Sequence, residues 1–345
     1  MNPRIETTTN RAIVALEEKI FFKLVCGASL TDIKMIENLS FVFTLAGAHV
    51  IDLAPSADVI FAARKGVQKA LSRDMLQHVS TPLLMASIQI DTDPHFRKIE
   101  VDYNLCDLCG ACIKACPTEA FKIEGKKFIY LIERCFGCGA CPSYCHVSAL
   151  NLVNTKPAPK QTLKEMILLG VKSIEFHFGE NFKRLEIIWD EIKDLLVEAS
   201  GQMPLLSFSI GSGLLADEEI KKAANLCYRL AGKDIILQCD GIPMSGALDK
   251  EHKGTFGGNN SDNKSLHVAK IIQEEKLPVY LQISGGTNQY SYAKAVESGI
   301  NVNGVAVGSY ARKLLMPYLV NLDDERNLHK AVQLAKSLVC SVGTR

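Results

Sequence analysis

Eight of the twelve cysteines fall in two blocks of identical spacing, Cys106-x2-Cys109-x2-Cys112-x3-Cys116-Pro117 and Cys135-x2-Cys138-x2-Cys141-x3-Cys145. Four thiols packed so densely suit a cubane of iron and sulfide: one tight loop supplies three ligands, and the fourth cysteine of each block crosses to the other cluster. The spacing therefore assigns Cys106, Cys109, Cys112 and Cys145 to one [4Fe–4S] cluster and Cys135, Cys138, Cys141 and Cys116 to a second. Structural zinc favours two cysteine pairs separated by a longer gap. Disulfides need an oxidising compartment, and residues 1–10 lack the apolar stretch of a signal peptide. Cys26, Cys227, Cys239 and Cys340 stand alone in apolar contexts and are expected to be buried as small hydrophobes.

The blocks form an internal repeat offset by 29 residues (135 minus 106) that extends past the cysteines. Ala120, Phe121 and Ile123 correspond to Ala149, Leu150 and Leu152, as expected of a pseudo-twofold module with a dry shell and short strands outside. Gly110 and Gly139 occupy matched places where the chain coils tightly. His146 stands where the usual motif has proline, and Pro142 follows the third cysteine instead; neither is a ligand position. Lys114, Lys122, Lys126, Lys127 and Arg134 give the module local positive charge, either a docking face for an acidic redox carrier or a simply solvated face.

At 345 residues the chain is far longer than this module, which occupies about residues 95–155. The formal charge of +1 excludes the global basic field that nucleic-acid binding calls for. Hydrophobic residues make up 47%, yet the longest apolar stretch, Leu39 to Ala54, is broken by His49 and Asp52, so no membrane span is indicated. A reduced, cytoplasmic protein is expected.

Outside the module, short β-rich runs alternate with longer amphipathic stretches. Strands are expected at Lys23–Cys26, Val50–Leu53, Leu83–Ile88, Ser173–Phe178, Leu205–Ile210, Asp234–Cys239, Val279–Ile283 and Gly304–Val307. Each is followed by a helical pattern, and a last helix falls near Glu325 to Leu338. The simplest α/β architecture is a (β/α)8 barrel, with residues 1–94 carrying strands 1–3, a ferredoxin-like insertion at 95–155, and residues 156–345 carrying strands 4–8. A doubly wound sheet is the alternative, since periodicity does not establish closure. An insertion after the third strand leaves from the face where barrel enzymes build their sites, which would put the clusters beside any barrel pocket.

Ser284-Gly285-Gly286-Thr287 follows the seventh strand and Gly308-Ser309-Tyr310 the eighth, where many barrels hold phosphate. Gly285, Gly286, Gly308 and Ser309 are thus a candidate phosphate or flavin site, or merely permit tight turns. For Asp52, His177, Asn181 and Asp240 at other strand ends, turn caps and a satisfied interior histidine are the preferred reading. Gly241 to Asn263, rich in glycine and asparagine, reads as a lid or a mobile tip. No catalytic constellation is recognisable, so an enzymatic role is not indicated.

With the cysteine motif, Phe22-Lys23-Leu24-Val25-Cys26-Gly27-Ala28-Ser29 and Leu45-Ala46-Gly47-Ala48-His49-Val50-Ile51-Asp52 in view, nearly the whole chain resembles the cyanobacterial light-dependent period family. That resemblance implies an iron–sulfur redox sensor of the circadian input pathway, associated with the Kai oscillator proteins and their sensor kinases. More distantly, Ile174 to Asn181 and the two glycine turns look like flavin-dependent barrels of the dihydroorotate and dihydropyrimidine dehydrogenase type. This second likeness implies FMN and an oxidoreductase wired by the clusters. The strand 5 lysine of that group has no counterpart in Leu205-Leu206-Ser207-Phe208-Ser209-Ile210.

Overall fold

A computed structural model describes residues 3–73, 79–198, 204–211, 215–241 and 261–343. The strands in chain order are β1 (Phe21–Val25), β2 (Val50–Leu53), β3 (Leu83–Gln89), β4 (Arg97–Val101), β5 (Phe121–Glu124), β6 (Lys127–Tyr130), β7 (Leu150–Asn154), β8 (Ser173–His177), β9 (Leu205–Gly211), β10 (Ile236–Asp240), β11 (Tyr280–Ser284) and β12 (Gly304–Val307). The helices are α1 (Pro3–Glu17), α2 (Ile33–Leu45), α3 (Ala57–Arg73), α4 (Ala111–Ala115), α5 (Pro159–Leu168), α6 (Lys183–Glu198), α7 (Asp217–Ala231), α8 (Ser261–Glu274), α9 (Ser291–Glu297), α10 (Ser309–Leu319) and α11 (Glu325–Cys340).

Eight strands close in the order β1-β12-β11-β10-β9-β8-β3-β2. The parallel pairing of β1 with β12, Phe21 with Gly304 through Leu24 with Val307, removes both edges and with them the doubly wound alternative. Residues of one parity, such as Leu24, Ile51, Ile174, Phe176, Phe208, Leu237 and Ile283, join the helices in one continuous apolar core. The other parity is unusual for a barrel interior, which Val, Ile and Leu ordinarily fill. Here Lys23, Asp52, Ser87, Glu175, Ser207, Gln238 and Gln282 are all buried.

Helix α1 has no counterpart among the elements expected from sequence. It stoppers the lower end of the barrel, where Ala12, Ala15 and Leu16 pack on Phe21, Val50, Met85 and Ile236. Arg11 ties it down by donating to Gly47 O and Ala48 O at 2.8 and 3.1 Å.

After β3 the chain enters the cysteine module, a pair of two-stranded antiparallel sheets, β4 with β7 and β5 with β6. The repeat is visible in the backbone: left-handed conformations recur 29 residues apart at Leu108 and Gly137, Gly110 and Gly139, and Glu119 and Ser148. Ala120 N donates to Cys116 Sγ at 3.3 Å, and its mate Ala149 N to Cys145 Sγ at 3.2 Å.

The module sits on the upper mouth of the barrel. Thr31 N donates to Glu133 O at 2.9 Å, Arg134 Nε lies 3.2 Å from Asp32 Oδ2, and Thr155 Oγ1 donates to Gln89 Oε1 at 3.0 Å where the chain returns. Lys98 Nζ donates to Ser29 O, Ile132 O and Cys135 O, which fastens the second cysteine loop to the β1 rim.

Gly137 explains why the repeat is broken at this place. It has φ of +67°, and an added Cβ would stand 2.3 Å from Arg97 O. Gly137→Ala is expected to cost about 1–3 kcal/mol through the left-handed backbone alone, with the overlap adding to it. Denaturant unfolding of the cluster-loaded protein measures this; an unchanged midpoint would show that the second cysteine loop is not pressed against the β4 backbone at Arg97.

Candidate functional site at the barrel mouth

The eight motif cysteines surround two cavities. Cys106, Cys109, Cys112 and Cys145 line one, with Phe128, Val147 and Leu150. Cys116, Cys135, Cys138 and Cys141 line the other, with Ile99, Phe121 and Phe136. Among the described residues no cysteine pairs in a disulfide. Four soft sulfur donors in an apolar shell, with backbone N–H groups on Cys116, Cys135 and Cys145, fit a cubane. Burial pushes the Cys112 thiol up to about 11 and raises Cys138 and Cys141 as well. Such thiols keep their protons until a cation takes their place. Cys109 is the exposed member, with His146 Nδ1 3.8 Å from its sulfur and His146 Nε2 2.9 Å from Asp107 Oδ2.

A third cavity, of about 60 Å³, opens at the barrel mouth. Its rim holds Gly27 to Ser29, Gly285 to Thr287, Gly308, Ser309 and Arg312. The structure thus brings together the four residues Gly285, Gly286, Gly308 and Ser309. Gly285 has φ of +77°, and a Cβ there would stand 2.6 Å from Gly241 N, so close approach of the β10 and β11 loops requires glycine. Gly308 caps α10, whose first amides face this rim. Arg312 is buried, which lowers its pKa to about 10 without discharging it at neutral pH. It donates to Val25 O at 2.7 Å and Cys26 O at 2.8 Å, and lies 4.9 Å over the Phe136 ring. The buried Ser29 hydroxyl has no partner among the described residues.

The floor of the cavity is charged. Glu175 is the hub: Lys23 pairs with it, Ser207 Oγ donates to it at 2.9 Å and Gln238 Nε2 at 2.7 Å, and His177 Nε2 lies 3.1 Å away, off the line of a hydrogen bond. Burial opposes this charge, but Lys23 and His177 outweigh it and hold the Glu175 carboxyl well below the usual range. Burial raises Asp52 to about 7, reinforced by the Glu175 charge and opposed by Lys23 and the Ser87 hydroxyl 2.9 Å away. Burial disfavours the charged form of His95, yet Asp93, 2.7 Å from its Nδ1, prevails and holds it up at about 9.

Asp52 and Asp240 therefore line the cavity rather than cap turns, and His177 pairs with Glu175 through Nε2 while its Nδ1 has no hydrogen-bond partner among the described residues. Asn181 has the structural role expected, donating to Asp91 Oδ2 at 2.9 Å. Cys26, Cys227 and Cys239 are buried, but Cys340 at the end of α11 is exposed, because it falls on the outer face of a turn whose Leu338 and Val339 are the buried residues. Within the module's basic patch, Lys122 pairs with Glu124 and Arg134 with Asp32. Of the expected lid, residues 242–260 lie outside the described residues. Sequence reasoning missed Lys23, Asp93, His95, Glu175 and Gln238. The available signal was polar side chains at alternate strand positions, as in Glu175 and His177, Ser207 and Ser209, and Gln238 and Asp240.

A family described as the light dependent period A C-terminal domain matches residues 166–341, and one described as a 4Fe-4S binding domain matches residues 99–122. The light dependent period A protein of Synechococcus elongatus is 27% identical over 336 residues, 94% of this chain and 90% of that protein. An uncharacterised ferredoxin of Methanocaldococcus jannaschii is 35% identical over 57 residues, 16% of this chain and 92% of its own length. A tryptophan synthase structure from M. tuberculosis spans 98% of this chain and 99% of its own at a TM-score of 0.42 and 9% identity. No helix among the described residues is long and apolar enough to cross a membrane.

The raised Asp52 pKa has a definite sign for stability. The folded protein binds this proton more tightly than the unfolded chain, so the contribution is intact below about 3.9 and lost as pH rises through about 7. Asp52→Asn removes the titrating group while keeping an oxygen for Ser87. Thermal midpoints of the two proteins should diverge in favour of the variant as pH rises from about 4 to about 7 and run parallel above that; curves parallel throughout would mean that Asp52 is ionised without penalty.

Proposed function

The chain belongs to the light dependent period A family, and from that premise we propose that it is an iron–sulfur redox sensor that relays light-dependent cellular redox state to period control. When bound, the two [4Fe–4S] clusters supply one-electron couples. Cys106, Cys109, Cys112 and Cys145 would hold one, and Cys116, Cys135, Cys138 and Cys141 the other. The observation that carries the reading is Phe136, which lines both the second cysteine cavity and the barrel mouth. A change of charge at Cys138 acts on the buried Arg312 guanidinium, which stacks on Phe136 and donates to the β1 rim carbonyls. In low dielectric such a charge change is weakly screened, so it biases the rim from which partners would read it. The Kai oscillator proteins and their sensor kinases are the partners proposed for that rim, in the cytoplasm, with a small redox carrier as electron donor.

A second reading rests on the glycine cradle. Gly285, Gly286, Gly308 and Ser309, with Arg312 and the unpartnered Ser29 hydroxyl, suit the phosphate of FMN, which would make the chain an oxidoreductase.

Anaerobic purification should give about eight irons per chain and no flavin in the extract, falling to about four in Cys138→Ser. Binding of purified Kai proteins should differ between oxidised and reduced samples and lose that difference in Phe136→Ala. Redox-independent binding would remove the sensor reading, and stoichiometric FMN would put the oxidoreductase in its place.

A further inference from the structure

We propose that Asp93, His95 and His177 form a site for one divalent transition-metal ion at the barrel mouth, separate from the cysteine cavities. The three residues converge from two segments. His177 ends β8, whereas Asp93 and His95 belong to the turn between β3 and β4. Asp93 Oδ1 accepts from His95 N at 2.9 Å and fixes that turn. The two segments are pressed together: a Cβ on Gly179 would stand 2.0 Å from Thr92 O.

One donor atom of each residue lies within 4.8 Å of the other two. Asp93 Oδ1 is 2.7 Å from His95 Nδ1 and 3.9 Å from His177 Nδ1. An ion with bonds of about 2.0–2.2 Å asks for donor separations of roughly 3 Å, so it fits among these atoms with small side-chain shifts. Two imidazoles and one carboxylate with open positions are the donor set of catalytic zinc and of facial-triad ferrous sites. Nitrogen donors select such ions over magnesium and calcium, which take oxygen.

The plainer explanation is that Asp93 and His95 pair only to hold their turn. That covers two residues and leaves the His177 Nδ1, 3.9 Å from Asp93 Oδ1, without a role. His177 is 3% exposed and lines the cavity, and its ring nitrogens make no aligned hydrogen bond among the described residues. Its Nε2 faces Glu175 Oε1 at 3.1 Å, the place where a metal-bound imidazole keeps its outer carboxylate, so Nδ1 is left toward Asp93. Glu175 is itself held by Lys23, Ser207 and Gln238.

The test is calorimetric titration of zinc into the anaerobically purified, cluster-loaded full chain. One equivalent should bind where magnesium does not. His95→Ala and His177→Ala should each weaken zinc binding at least tenfold with iron content unchanged, and Glu175→Gln roughly 10–100-fold. Wild-type crystals grown with zinc should give an anomalous peak among the three donor atoms, a measurement that needs no variant to fold. No zinc binding, wild-type affinity in either histidine variant, or a peak elsewhere overturns the proposal. Iron counted in the same samples reports on the clusters independently.

Discussion

The Glu175 carboxylate is the point on which the barrel interior depends. Side chains from four strands converge on it, Lys23 from β1, His177 from β8, Ser207 from β9 and Gln238 from β10, and Gln282 of β11 joins by donating to Gln238 Oε1 at 2.7 Å. Hydrophobic side chains would fill this volume at no electrostatic cost. An ion pair retained in their place is stabilising only while complete: removing the carboxylate would strand Lys23, at about 3–5 kcal/mol. The network thereby fixes the His177 ring and sets the charge that Asp52 feels.

The module shows how a near-symmetric unit acquires a front and a back. Asp107 and Phe136 are repeat mates, yet Asp107 is exposed beside His146 while Phe136 is buried at the barrel mouth. Leu108 and Gly137 differ because the second loop is pressed on the β4 backbone at Arg97. The two cysteine cavities are therefore inequivalent in surroundings, one facing outward and one facing the pocket, and this would separate any properties tuned by exposure and nearby charge.

Much of the architecture was legible because barrel strands and cysteine loops have strong local signatures. The boundaries of β2 and β12 coincide with the expected runs, and the other barrel strands shift by one or two residues. Helix α1 was not legible, since its threonine-rich start masks the apolar face formed by Ala12, Ala15 and Leu16. The glycine turns were found, because turn geometry demands glycine locally. The Glu175 network was not, because its members are spread from Lys23 to Gln282 and meet only when the sheet closes. Asp93 and His95 lay hidden in a short connector whose partner, His177, is more than eighty positions away.

Helix α1 seals the lower end of the barrel with apolar packing, and the cysteine module overhangs the upper end. Among the described residues the interior opens at the upper end, beside Phe136. A small molecule and a macromolecular partner that both use this rim are rivals for it. Occupancy of the pocket would then be registered as a change in the partner's apparent affinity, through steric competition and without any shape change in the barrel.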